Sequence, residues 1–162
     1  MLGKEMILTL YEYNHWANQR IFEATEKLDP SQWDAPNQIF PRDLHTLLFH
    51  IVRTEWVWRE LAQKRGQIST PPQLEDLDTL AAIKAFEEEQ ACQIQAYLND
   101  LNDEVLRADL ELQDRSGKKS TKKIWQMLVH PLMHSMQHRS EAAAVLTSLG
   151  QSPGDIDFIF YI

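Results

Sequence analysis

The chain has 162 residues, 43% of them hydrophobic, which is enough apolar material for one buried core and too little length for two typical domains. Its 24 acidic and 16 basic residues leave a formal net charge of -8, a sign that repels a phosphate backbone and gives no support for nonspecific nucleic-acid binding. Cys92 is the sole cysteine, which excludes an intrachain disulfide, a cysteine-rich zinc site and a redox cysteine pair, and fits a reducing cytoplasm.

Long segments place apolar residues three and four apart, and only 5 glycines interrupt them, so the expected class is all-α, a single domain over 1–162. The first helix is expected over 2–28, with Ile7, Leu10, Tyr11, Ala17, Ile21 and Leu28 on its apolar side and Asp29-Pro30 as its stop. Lys4, Glu5 and Glu12 break up the apolar block that a signal peptide or membrane span would need, so neither is expected there. Asp43 is placed to cap a second helix, because its carboxylate can accept from the unpaired amides of the first turn, and Gly66 supplies the end. Residues 67–76, with Pro71-Pro72, read as a surface loop.

A third helix should begin near Asp78 or Thr79 and bury Leu80, Ile83, Phe86, Ile94, Tyr97, Leu98 and Leu101, with Glu87, Glu88 and Glu89 in solvent. Over 104–121 the period changes: Leu110 and Leu112 alternate with Asp109, Glu111 and Gln113 ahead of the turn Arg115-Ser116-Gly117-Lys118, which reads as a short hairpin or extended loop. The lysines around that turn, Lys118, Lys119, Lys122 and Lys123, read as a solvated tip. A final helix is expected over 122–149 with Gly150 as its stop and Pro131 bending it or marking an irregular first turn. The tail 155–162 is too apolar to stand in water and should pack over the bundle or a partner subunit.

The final helix carries His130, His134 and His138 at steps of four, each step turning about 400°, so the row drifts only about 40° per step. Met127, Pro131, Val145 and Leu149 project close to His134 and His138, aiming these imidazoles at the core, whereas Ser135 and Arg139 project well round from that stripe. Two imidazoles one turn apart can converge on one ion at about 2.0 to 2.1 Å. The glutamate that follows the first histidine in metalloproteases is absent. A third ligand must come from another helix, and His50, amid Leu47, Leu48, Phe49, Ile51 and Val52, is best placed. His45 should point elsewhere, and His15 and His130 read as bystanders. Spacing alone leaves a metal site and ordinary core or surface histidines both open.

Three stretches together carry a resemblance: Tyr13-Asn14-His15-Trp16-Ala17-Asn18, then 44–52 with His50, then His130-Pro131-Leu132-Met133-His134-Ser135-Met136-Gln137-His138-Arg139 followed by Leu149-Gly150 and an acidic, aromatic tail. The chain resembles the DinB superfamily of damage-inducible proteins and related metal-dependent enzymes over nearly its whole length. The resemblance implies an up-down-down-up four-helix bundle and a divalent ion, zinc or nickel, on His50, His134 and His138, often in a homodimer. Relatives include thiol-dependent S-transferases and detoxification enzymes. Two departures stand out: many relatives continue Arg-Gly-Gln where this chain has Arg139-Ser140-Glu141, and Pro131 replaces a non-proline residue. Glu141, one turn beyond His138, could orient a histidine, accept a proton or sit at a dimer interface.

Three neutral imidazoles leave the ion its full charge and at least one open position, the pattern of a catalytic site suited to hydrolysis or to thiol transfer on a small molecule, including a low-molecular-weight thiol cosubstrate. The competing reading is a noncatalytic metal-binding stress-response or interaction bundle. Asn14, Trp16, Glu55 and Trp58 are candidate pocket residues beside the ion, while Trp16, Trp56, Trp58 and Trp125 also suit a core.

Overall fold

The computed structural model describes residues 3–113 and 116–162. Leu2, the expected start of the first helix, and Arg115 of the expected turn lie outside the described residues. The main elements are α1 (Lys4–Thr25), α2 (Leu44–Gln63), α3 (Leu80–Asp100), the short α4 (Asp103–Arg107), strands β1 (Asp109–Gln113) and β2 (Lys119–Lys123), and α5 (Ile124–Ser148). Among the described residues no helix is long and apolar enough to cross a membrane.

Local chemistry sets the helix ends. Asp43 caps α2 as expected, its Oδ1 accepting from the Thr46 amide at 2.7 Å, and Thr79 caps α3 by accepting from the Ala82 amide at 3.1 Å. The chain leaves α2 through Gly66, whose φ of +90° is open to glycine but strained for other residues. A Cβ there would also stand 3.1 Å from the Glu111 carbonyl oxygen of the hairpin. The first helix ends at Thr25, three residues short of expectation, and a 3-10 turn at Pro30–Gln32 follows, held by the Asp29 side chain. The segment read as a hairpin or loop resolves into α4 and an antiparallel β1-β2 hairpin that pairs Glu111 with Thr121. Pro131 lies inside a continuous α5, and the Tyr11 hydroxyl donates to the Leu128 carbonyl at 2.8 Å close to where the proline removes an amide donor.

The end contacts fix the directions of the four long helices. Lys4 at the start of α1 donates to the Asn99 carbonyl at the end of α3, and Gly66 after α2 meets the hairpin that leads into α5. At the opposite end Lys84 of α3 pairs with Glu26 beyond α1, and Leu44 of α2 lies by Leu149. The order is therefore up-down-down-up, with α1 and α2 each packed between α3 and α5.

Two apolar clusters fill the bundle. One, around Phe22, Leu47, Ile51, Ile83 and Leu146, occupies the end where α2 begins; the other, around Ile7, Leu98, Ile124, Met127 and Leu128, occupies the end where α5 begins. Trp56 is buried, whereas Trp16, Trp58 and Trp125 are half-buried. The tail packs partly as expected: Phe158 meets the Tyr13 ring edge-on with centroids 5.2 Å apart, while Ile159, Phe160 and Ile162 stay exposed. One expectation about α3 fails, because Glu87 is only 2% exposed. It follows Ile83 by one turn and precedes Gln90 and Ile94 on the same face, so the helix points it inward with them.

Candidate metal centre

The most extensive helix packing in the bundle is between α2 and α5, and it brings His50 against His134 and His138. One nitrogen from each ring can be chosen so that all three lie within 4.8 Å of one another. His50 Nε2 and His134 Nε2 are 2.8 Å apart, and the ring centroids of the three histidines are separated by 4.4 to 4.9 Å. Ligand nitrogens about 2.0 to 2.1 Å from a tetrahedral ion stand roughly 3.3 Å from each other, so small ring rotations would fit the cluster to one. The donor set suits a divalent ion: three borderline-soft nitrogens from two helices, which is one fewer than a tetrahedral shell takes.

The cluster's electrostatics favour the form that binds metals. Burial pushes His50 down to about 4, helped by Arg42, by the other two imidazoles and by Arg53. His134 is lowered by burial and then by His138, His130 and Arg42. Both rings are neutral at neutral pH and present lone pairs without first losing protons. His138 Nδ1 donates to Glu141 Oε2 at 2.7 Å, which fixes the proton on Nδ1 and leaves Nε2 with the lone pair.

The remaining histidines stand apart. His130 is exposed, its ring 4.6 Å from that of Trp58 and 5.8 Å from that of His134. His45 stacks on Trp33 and its Nε2 bonds the Leu77 carbonyl at 2.8 Å. His15 is no idle residue: its Nδ1 lies 2.9 Å from Glu87 Oε2, and that bond raises its pKa.

Beside the histidines lies a layer of buried polar residues between the two apolar clusters, one that sequence reasoning missed. Glu55 Oε1 accepts from Asn14 Nδ2 at 2.9 Å, Asn18 Nδ2 at 3.3 Å and Ser135 Oγ at 2.7 Å. Arg139 Nη1 donates to the side-chain oxygens of Asn14 and Asn18, the latter at 2.9 Å, so each asparagine accepts from the guanidinium and donates to the carboxylate. Asn18 also donates to Glu87 at 3.2 Å. Ser135 and Arg139, though round from the histidine stripe, are 0% and 2% exposed, because α5 is buried on both sides. Asn14 and Glu55 serve this layer and not the rim of the histidine cluster, and Trp16 packs by Tyr13 and Tyr161. Burial and the neighbouring Glu87 raise the Glu55 pKa, against the hydrogen bonds that lower it.

The signal for the layer was present in the spacing. Leu128, Leu132, Ser135, Arg139, Ala142 and Leu146 form one line at steps of four and three, with two polar members in mid-course.

The sequence and fold both have counterparts. Protein DinB of Bacillus subtilis (strain 168) is 27% identical over 158 residues, covering 94% of this chain and 91% of that protein. The fold matches YfiT from Bacillus subtilis, described as a probable metal-dependent hydrolase with an unusual four-helix bundle topology, at a TM-score of 0.65 and 14% identity over 94% of this chain and 92% of that one. It also matches the DinB-like protein YjoA from Bacillus subtilis, at a TM-score of 0.61 and 14% identity over 88% and 93% of the two chains. The DinB family model matches residues 1–162 throughout, and the chain belongs to the DinB family.

Proposed function

We propose that this protein is a metal-dependent enzyme acting on a small molecule, with a divalent ion on His50, His134 and His138. The observation that carries the reading is the convergence of three ring nitrogens within 4.8 Å from two helices, and the likeness to YfiT supports hydrolysis as the reaction. A zinc or nickel ion held there would supply Lewis-acid chemistry, lowering the pKa of a water or thiol ligand. The chain's own part is to present neutral imidazoles, to hold the His138 proton on Nδ1 through Glu141, and to place Arg42 and Arg53 where their charge draws an anionic group toward His50.

The test is turnover. Untagged protein loaded with zinc or nickel should hydrolyse members of an ester, amide and lactone panel, and chelation should abolish the activity. Turnover only when a low-molecular-weight thiol is added would assign transfer in place of hydrolysis. Silence in both screens, with metal bound at one ion per chain, would make the protein a noncatalytic metal-binding bundle.

Glu141 gives a graded check. Glu141→Ala removes the acceptor that orients His138, and we expect metal affinity to fall by about 10- to 100-fold, read by competition with a chromogenic chelator. Glu141→Gln, which can still accept through its amide oxygen, should recover most of the loss.

The proposal includes a homodimer in a reducing, cytoplasmic setting. Supporting it, Met6, Met133 and Met136 are each close to half exposed, and the two α5 methionines border a shallow depression with Leu10 and Tyr13. Sedimentation equilibrium should return twice the chain mass, and Met136→Glu should shift the protein to the monomer.

A further inference from the structure

A partly open cavity lies between α1, α2 and α3, with none of the three clustered histidines in its wall. Its volume is about 90 Å³, and its sides are largely apolar, from Leu8 and Tyr11 on α1 and Ala91 and Ile94 on α3. Glu55, buried on α2, is part of its lining.

Glu12 and Gln95 stand at its exposed rim, and most of the buried polar groups around it are committed. Tyr11 donates its hydroxyl to the Leu128 carbonyl. Gln90 Oε1 accepts from Arg59 Nε and Nη2, and the Arg59 guanidinium also bonds Glu60 and Gln63, so its charge is balanced away from the cavity. Both Glu87 oxygens are taken, by His15, Asn18 and Gln19. Among the buried lining groups of the described residues, Glu55 and the Gln90 amide nitrogen keep hydrogen-bonding capacity to spare. All three of the Glu55 donors among the described residues reach Oε1, which leaves Oε2, in a residue only 9% exposed that lines the cavity, without a donor among them.

A carboxylate oxygen that faces a largely apolar cavity gains from a ligand that brings a charged donor to it. Magnesium or calcium would have to bring most of its six or more oxygen ligands as waters, and a volume of about 90 Å³ does not hold that shell. An anion would meet Glu55 head on. A space of this size holds on the order of three waters, hence an organic group of about four heavy atoms. We infer that this cavity binds a small primary alkylammonium group, its nitrogen donating to Glu55 Oε2 and its short alkyl stem lying against Leu8, Tyr11, Ala91 and Ile94. Burial and Glu87 raise the Glu55 pKa, and a neighbouring cation would favour the charged carboxylate. The site does not depend on an ion at the histidines.

The probe is n-propylammonium chloride, titrated into the full-length protein at fixed ionic strength, with n-propanol as the neutral equivalent and amide resonances as the readout. The expected result is saturable shifts at Leu8, Tyr11, Ala91 and Ile94 with the ammonium and none with the alcohol. Glu55→Gln should weaken the ammonium by at least about tenfold. Ala91→Leu, which fills the cavity and leaves every Glu55 hydrogen bond in place, should abolish the response, and it carries the test alone if the Glu55 variant does not fold. Equal shifts from ammonium and alcohol, no saturable shift, or an unchanged response in Ala91→Leu would each overturn the proposal and leave the cavity as a water site.

Discussion

Replacing Arg139 with methionine is expected to lower the folding free energy by about 3 to 5 kcal/mol, a large share of the roughly 5 to 15 kcal/mol typical of a whole protein. The guanidinium is 2% exposed and is a donor to both Asn14 and Asn18, whose own amides donate to Glu55. Methionine keeps much of the length and volume but strands two amide oxygens and leaves the negative charge of Glu55 and Glu87 without its buried counterpart. Burial lowers the Arg139 pKa while Glu55 opposes the shift, so the two charges are coupled within the layer. The check is a urea midpoint that falls at unchanged slope. The double variant Arg139→Met with Glu55→Gln should lose less than the sum of the two single losses, because the second change removes the charge the first one stranded. Additive losses would show that the layer is not a coupled unit.

The second large effect concerns the ion. Protein purified without a histidine tag should contain about one divalent ion per chain, and His50→Ala should lower the affinity by more than about 100-fold, a larger loss than removal of an orienting carboxylate. An ion at about a thousand times its dissociation constant stabilises the fold by about 4 kcal/mol, equivalent to a rise in Tm on the order of 8 to 16 °C at this chain length. Chelation should therefore lower the Tm of the parent protein by that amount and leave the Tm of His50→Ala almost unmoved. Because His50 is partly open to solvent and packs at the edge of the core, the variant should still fold. A variant that keeps a full complement of metal would move the ligand assignment elsewhere.

These two predictions rest on features of unequal visibility in the sequence. The histidine cluster was legible because His134 and His138 stand one turn apart among apolar neighbours and His50 sits in the most apolar stretch of another helix. The cap at Asp43 was legible because a short polar side chain at a helix start has one strong local use, and the start of α3 was placed near Asp78 or Thr79, of which Thr79 is the cap. The polar layer was not read, since apolar periodicity treats a charged residue as a mark of the solvent side. That rule misplaced Glu87, grouped with its exposed neighbours Glu88 and Glu89, although it falls on the line of Ile83 and Ile94. It missed Ser135 and Arg139 for a different reason: the ligand stripe claimed one side of α5 as the inner side, and a helix packed between α1 and α2 has two. Short α4 escaped notice because five residues are too few to show a period.

The buried layer has a further consequence for how reliably the histidines meet. His134 immediately precedes Ser135, and His138 immediately precedes Arg139, so each of these histidines is chained to a residue with a fixed address in the layer. Sliding α5 by one turn past α1 and α2 would move Ser135 and Arg139 off Glu55, Asn14 and Asn18 and set a guanidinium among Leu, Ile and Met side chains. Apolar packing alone would tolerate that misalignment far better, since one leucine-rich turn resembles the next. The layer thus acts as an indexing pin: the same wrong alignment that would scatter the imidazoles is the one the buried charges forbid.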